Sequence, residues 1–170
     1  MTDTVNTEQA NKWLKLYTDN YYGRTPEAVE LSKVLSTNYN GQKYVPWATM
    51  ERFLYMQDPL ANLYVSFDGD GPVGTQKWTI EQVNKNAGAV IETSSPFYSH
   101  MVRVTLTFMG KYFEEYYPVQ DNKYGAPKII DQNLVNRALQ RAKAKIIARA
   151  TGLGLALYEQ LDLQFEKEAS

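Results

Sequence analysis

Between His100 and Val119 the chain reads HMVRVTLTFMGKYFEEYYPV, and this stretch limits the possible folds more than any other. Val102, Val104, Leu106 and Phe108 alternate with Met101, Arg103, Thr105 and Thr107. Extended backbone sends such residues to opposite sides, so one face is buried and the other polar. Met109-Gly110 reverses the chain, and KYFEEYYPV follows as a second amphipathic strand. The two form a hairpin. Glu114 and Glu115 are neighbours on that second strand, so they point to opposite faces and cannot act as a carboxylate pair.

A long helix is the natural cover for the apolar side. Asp131 is a good N-cap and Gly152 a good C′ residue, which predicts a helix of about twenty residues. Leu134, Val135, Ala138, Leu139, Ala142, Ile146 and Ala150 recur at spacings of three and four and make its core-facing stripe. Arg137, Arg141, Lys145 and Arg149 recur every four residues and make a second stripe, drifting by about 40° per step. Lys143 lies on the opposite shoulder. Solvated helix faces ordinarily mix Glu with Lys, and cations are favoured near a helix C-terminus in any case. This helix carries no acid after Asp131, although the chain of 170 residues has 19 Asp and Glu against 18 Lys and Arg. Cations four residues apart repel, so a polyanion is the economical partner. Arginine forks match phosphate oxygens, and each neutralised phosphate releases counterions.

The rest of the chain fills in around these two features. Residues 1–40 are polar, with one helix over EQANKWLKLYTDNYY and a second after Thr25, with Pro26 at its first position. Pro46 opens a short helix in VPWATMERFLYMQ, with Trp47, Met50, Phe53 and Leu54 on one face and Asp58-Pro59 ending it. LYVSF (63–67) is a strand, and DGDGP after it is a turn. VGTQKWTI and AGAVIET are weaker strand candidates, and QDNKYGAPK is a loop before the long helix. These elements predict an α+β fold: a curved antiparallel β-sheet with a β-hairpin followed by a long helix packed on the sheet, a β-β-β-α core. The expected organisation is an N-terminal helical and polar extension at 1–43, a core domain at 44–158 and an acidic tail at 159–170.

Several kinds of chemistry find no support. There is no cysteine, which removes disulfides, thiolate zinc sites and cysteine nucleophiles. His100 is the single histidine and has no identifiable nucleophile beside it. Asp68 and Asp70 in DGDG lack the later ligands of a calcium loop. The glycines of GLGLAL follow a helix and have no lysine, unlike a phosphate-binding loop. They end the helix and permit close packing. The start MTDTVNTEQANKW has neither the basic residues nor the apolar run of a signal peptide, and no stretch has the roughly 18 apolar residues of a membrane span. We therefore expect a cytoplasmic, non-enzymatic protein that needs no cofactor or metal and contacts no membrane.

Three passages in order resemble phage single-strand annealing proteins of the Sak and Erf kind, within the wider Rad fifty-two-like superfamily. They are VPWATMERFLYMQDP, MVRVTLTFMGKYFEEYYPVQD and NLVNRALQRAKAKIIARATGLGLALYEQLDL, together covering about residues 44–163. The resemblance implies side-by-side assembly into a homo-oligomeric ring or filament with a basic groove. It also implies binding of single-stranded DNA and ATP-independent annealing of complementary strands in phage homologous recombination, in the cytoplasm of a bacterial host. A phage exonuclease or a single-strand-binding protein is a further implied partner. Lys145 and Arg149 fall where the family keeps cations before its glycine-containing turn, and Arg103 is a weaker match on the hairpin. Arg141, Arg137, Lys143, Lys111, Lys128 and Lys123 complete the candidate DNA contacts. Tyr112, Tyr116 and Tyr124 are the candidates for stacking on bases, although tyrosines at such spacing are commonly half-buried sheet residues.

An annealing protein must hold the sugar–phosphate backbone and leave base edges readable by the incoming strand, which cations in a groove accomplish. The alternative from another class is a protein-interaction or assembly module whose basic helix docks an acidic partner, EQLDLQFEKEAS of a neighbouring subunit being one candidate. A double-stranded RNA binder is disfavoured, because such domains are short and cluster their cations near the helix start.

Overall fold

A computed structural model of the protein describes residues 2–37, 41, 43–67, 75–83, 92–120 and 131–159, with side chains described outside 2–5, 37, 75–83 and 92–99. In chain order the elements are α1 (Thr2–Tyr21), α2 (Pro26–Lys33), β1 (Ser36–Thr37), β2 (Lys43–Tyr44), α3 (Trp47–Gln57), β3 (Asn62–Ser66), β4 (Thr75–Val83), β5 (Glu92–Phe108), β6 (Lys111–Pro118) and α4 (Gln132–Thr151). The strands β5 and β6 are joined by Met109 and Gly110, whose φ values are 48° and 75°. Positive φ at both central residues is what a two-residue type I′ hairpin turn requires. Asp58, just past α3, accepts the Met109 N–H through Oδ2 at 2.7 Å, and Gln9 Nε2 donates to the Met109 carbonyl at 2.9 Å. These two contacts, from α1 and the end of α3, hold the turn's non-glycine residue in its left-handed conformation.

The hairpin register runs from Phe108 opposite Lys111 to Met101 opposite Pro118. On the other side of β5, β3 pairs antiparallel from Asn62 opposite Thr107 to Ser66 opposite Arg103. The N-terminal part of β5 pairs instead with β4, Thr75 opposite His100 through Val83 opposite Glu92. β5 is thus longer than the alternation at 100–108 indicated, because the pairing with β4 continues its extension backwards to residue 92. The α+β arrangement expected from the sequence, an antiparallel sheet with a long helix packed on it, is the one observed. The DGDGP turn, most of AGAVIET, the 121–130 loop and the tail after Glu159 lie outside the described residues.

Val102, Val104, Leu106 and Phe108 are all but fully buried, as are Ala138, Ala142, Ile146 and Ala150 of α4. Three of those four helix positions are alanine, so the helix can approach the sheet closely. Sealing a branched residue such as Ile146 contributes about 1.5–3 kcal/mol before conformational costs. Ala144, Ile147 and Ala148 are buried too. The single-stripe periodicity omitted them because α4 packs against α3 and α1 as well as against the sheet. Both helix ends are as the sequence indicates: Asp131 Oδ1 accepts the Leu134 N–H at 2.9 Å, and Gly152 closes the helix at φ 80°.

The helices α1 and α2 are tied into the same core. Ala28 and Leu31 belong to the buried cluster, and Trp13 Nε1 donates to the Ala150 carbonyl at 2.9 Å. Asn20 is buried where four helix ends meet. Its Nδ2 donates to Gln57 Oε1 and to the Thr151 carbonyl, and its Oδ1 accepts from Gln57 Nε2 and Thr25 Oγ1. Among the described residues, no helix is long and apolar enough to cross a membrane.

The junction makes a prediction about Gly152. A Cβ there would sit 2.5 Å from the Tyr17 carbonyl oxygen, whereas one at Gly23, which also has positive φ, would meet nothing within 4 Å. Left-handed backbone alone costs a non-glycine residue about 1–2 kcal/mol. Gly152→Ala should therefore lower the melting temperature clearly more than Gly23→Ala, and the excess reports the close approach of α1. Equal losses in the two variants by thermal denaturation would contradict this packing.

Candidate nucleic-acid interface

The cationic stripe occupies the edge of α4 next to β6. From Arg137 to Arg149 it extends about 18 Å, at about 1.5 Å per residue. Arg141, Lys145 and Arg149 are exposed and Arg137 is half-buried. The acid that α4 lacks is supplied from across the sheet. Glu115 pairs in register with the buried Val104 and so points to the helix side of β6. Arg149 Nη1 donates to Glu115 Oε2 at 2.8 Å and to the Glu114 backbone carbonyl at 3.2 Å. Lys145 Nζ lies 3.8 Å from Glu115 Oε1 and 6.0 Å from the centre of the Tyr117 ring. Sequence inspection of the helix alone missed this partner, since alternation along β6 gives Glu115 a face but not a neighbour. The side chains of Lys145 and Arg149 keep 53% and 57% of their exposure against 19% for Glu115. Ion pairs that open to solvent contribute only about 0–1 kcal/mol, so both cations remain available to another anion.

Two other candidates are held elsewhere. Lys143 is turned to α3, with Nζ 3.2 Å from Glu51 Oε2 and 4.8 Å from the centre of the Trp47 ring, and its side chain is 19% exposed. Lys111 sits on the helix side at the hairpin turn, its Nζ 3.5 Å from the centre of the Trp13 ring. Both are cation–aromatic contacts that fasten neighbouring elements. Lys123, Tyr124 and Lys128 lie outside the described residues.

Arg103 is on the other face of the sheet, away from α4, and the structure does not bring it to the stripe. Its Nε donates to Glu114 Oε1 at 2.9 Å, and the Tyr112 hydroxyl donates to Glu114 Oε2 at 3.1 Å. Tyr112 and Tyr116 flank Glu114 along β6, 60% and 40% exposed. Tyr64 of β3, opposite Thr105, is 61% exposed on the same face. It was absent from the sequence-derived candidates, although alternation in LYVSF places it there. Three exposed tyrosines, one Arg–Glu pair and the polar residues Asn62, Ser66, Thr105 and Thr107 therefore share this open face. The hydrogen bond from Arg103 holds the Glu114 carboxyl below the usual glutamate range, and the hydrogen bond to Glu114 pushes the Tyr116 phenol up.

Glu114 and Glu115, adjacent in sequence, thus serve opposite faces, as strand alternation requires. Gly152 ends α4 and lets α1 approach, and Gly154 lies against Leu31 and Val45, in line with the structural role read from the sequence. His100 is half-buried near the Phe67 ring, and no cluster of three or more His, Cys, Asp or Glu is found among the described residues. In comparisons with known proteins the chain matches no family model, no curated protein and no solved structure.

The Arg103–Glu114 pair gives a pH prediction. A folded-state pKa below the unfolded one means the pair's stabilisation is present above the ordinary glutamate range and is lost as pH falls through the depressed value. Followed by carboxyl carbon NMR, Glu114 should titrate below the ordinary glutamate range. Arg103→Gln should move it upward, and Lys145→Ala should leave it in place. A Glu114 titration indifferent to Arg103→Gln would disprove the pairing in solution.

Proposed function

We propose that the protein binds single-stranded DNA along the α4 stripe and anneals complementary strands without nucleotide hydrolysis, in phage homologous recombination. One observation carries this: a helix edge of four cations with no acid of its own, more than half exposed at Lys145 and Arg149, in a chain with nearly balanced charge. Such an edge neutralises phosphates without contacting base edges, which leaves bases free to pair. The role needs no nucleophile, metal or cofactor, and the protein acts as a binder and not as an enzyme. Because one stripe spans only a few nucleotides, copies of the chain line up to lengthen the groove. The likeness of the three sequence passages to annealing proteins supports this assembly and the cytoplasmic, phage-related setting, and a phage exonuclease or a single-strand-binding protein is its natural partner.

Glu115 favours a second function. A carboxylate already docks between Lys145 and Arg149 within the fold, so an acidic segment of a partner protein could use the same stripe.

Annealing of two complementary oligonucleotides by purified protein, without ATP and over a salt series, separates the two. The expected result is accelerated annealing, with binding to unrelated single strands that weakens steeply as salt rises. Lys145→Ala with Arg149→Ala should weaken DNA binding about tenfold at moderate salt and flatten the salt dependence, with little change in melting temperature. Lys143→Ala, on the α3 side, should matter less, and Ile146→Asp should unfold the protein by burying a charge. Binding that ignores salt, or a folded double variant that anneals like the parent, would remove the stripe from consideration as the DNA site. Assembly has its own test: mass photometry should show species larger than a monomer with DNA, and a strict monomer throughout would end that part of the proposal.

A further inference from the structure

We propose that Glu115 is a resident stand-in for a strand phosphate. On this view Lys145 and Arg149 form the anion subsite of the stripe, and the Glu115 carboxylate sets how tightly that subsite holds a polyanion. The identity of the polyanion rests on the DNA-binding function proposed above; the subsite itself rests on geometry.

Lys145 and Arg149 are one helical turn apart and face a single carboxylate from β6. Each oxygen of that carboxylate serves one cation, Oε2 at 2.8 Å from Arg149 and Oε1 at 3.8 Å from Lys145. Two oxygens of one phosphate could address the same pair in the same way. Glu115 lies beneath the cations, 19% exposed, and their outer sides face solvent. Arg149 directs Nη1 to β6, at the Glu115 carboxylate and the Glu114 carbonyl, which leaves the hydrogens on Nη2 and Nε for an anion from outside. The 3.8 Å from Lys145 to Glu115 is within ion-pair range but too long for a hydrogen bond, so the ammonium hydrogens are not committed to that carboxylate. One negative charge against two positive ones leaves an excess. The site therefore attracts a further anion while its own carboxylate repels that anion, and affinity is held below what the cations alone would give.

The test is Glu115→Gln, which keeps the size and an acceptor oxygen for Arg149 but removes the charge. Glu30→Gln, in the exposed Glu30–Lys33 pair of α2, changes the net charge equally at a distant place. Two probes are titrated over a salt series: a labelled single-stranded oligonucleotide and linear inorganic polyphosphate. Glu115→Gln should bind both about fivefold tighter or better at moderate salt, its log–log salt slope steeper by about 0.7 for each phosphate gained. Glu30→Gln should behave like the parent, and the gain should vanish when Lys145→Ala and Arg149→Ala are present.

Parent-like or weaker binding by a folded Glu115→Gln protein overturns the proposal, because a carboxylate that only orients the cations would help binding when present. A gain that survives removal of both cations overturns it too. If Glu115→Gln does not fold, Glu115→Asp withdraws the carboxylate by one methylene and should give a smaller gain of the same sign; no gain there is equally fatal. If polyphosphate binds, more tightly to Glu115→Gln, while no variant binds the oligonucleotide, the subsite stands and the DNA function fails. If the oligonucleotide binds and Glu115→Gln changes nothing, the DNA function stands and the subsite proposal fails.

Discussion

The buried amide of Asn20 fixes the relation between the helices, and the position of the cationic stripe follows from it. Asn20 lies in the last turn of α1, Thr25 caps α2, Gln57 ends α3 and Thr151 ends α4, and four hydrogen bonds of 2.6–2.8 Å join them at one point. Thr25 Oγ1 also accepts the Ala28 N–H, so the same hydroxyl caps α2 and ties it to the junction. Helix ends carry unsatisfied carbonyls, and burying them together is costly unless each finds a donor. Asn20 satisfies the Thr151 carbonyl directly. An apolar residue of similar size would fill the space and leave several groups without partners, so the junction specifies one arrangement of the helices rather than merely tolerating it.

With its C-terminal end held there, α4 has little freedom to slide along the sheet. Gly152 brings the turn against the Tyr17 carbonyl, and Trp13 reaches the Ala150 carbonyl from the same helix. Both contacts act within the last turn of α4, where Arg149 sits. They set the height at which Arg149 meets β6, and hence its contact with Glu115 and the Glu114 carbonyl. On the opposite side Lys143 is fixed between Glu51 and Trp47 of α3. Cations from one helix therefore divide into a packed one that supports the fold and exposed ones left along an edge. The division comes from which neighbour lies beside each turn of the helix, not from the residue type.

That division explains what was legible in the sequence. The hairpin, the long helix and the caps at Thr25, Asp131 and Gly152 were readable because each depends on residues two to four positions apart. Contacts across the fold were not. Nothing local to Lys111 announces Trp13, and nothing local to Lys145 announces Glu115. Ala144, Ile147 and Ala148 lie outside the single apolar stripe, and the packing of α3 and α1 is what makes them core. Asn20 sits in a polar stretch that reads as surface. Tyr64 was the avoidable omission, because period-two alternation assigns it to the open face without further information.

Alternation along β6 has a consequence for charge as well as for packing. Glu114 and Glu115 differ by one position, yet one is clamped by Arg103 and Tyr112 on the open face and the other lies under Arg149 and Lys145 on the helix face. Each of these two acids is paired with basic charge on its own side of the sheet. At the outer edge of α4 one carboxylate, Glu115, faces two cations, Lys145 and Arg149. A net charge of −1 for the whole chain gives no hint of this local surplus. A ligand at the edge is within a few ångströms of those cations, while acids on the far side of the molecule are separated from it by more than a Debye length of about 8 Å. The surplus at that edge, and not the average over the chain, is therefore what an approaching polyanion meets.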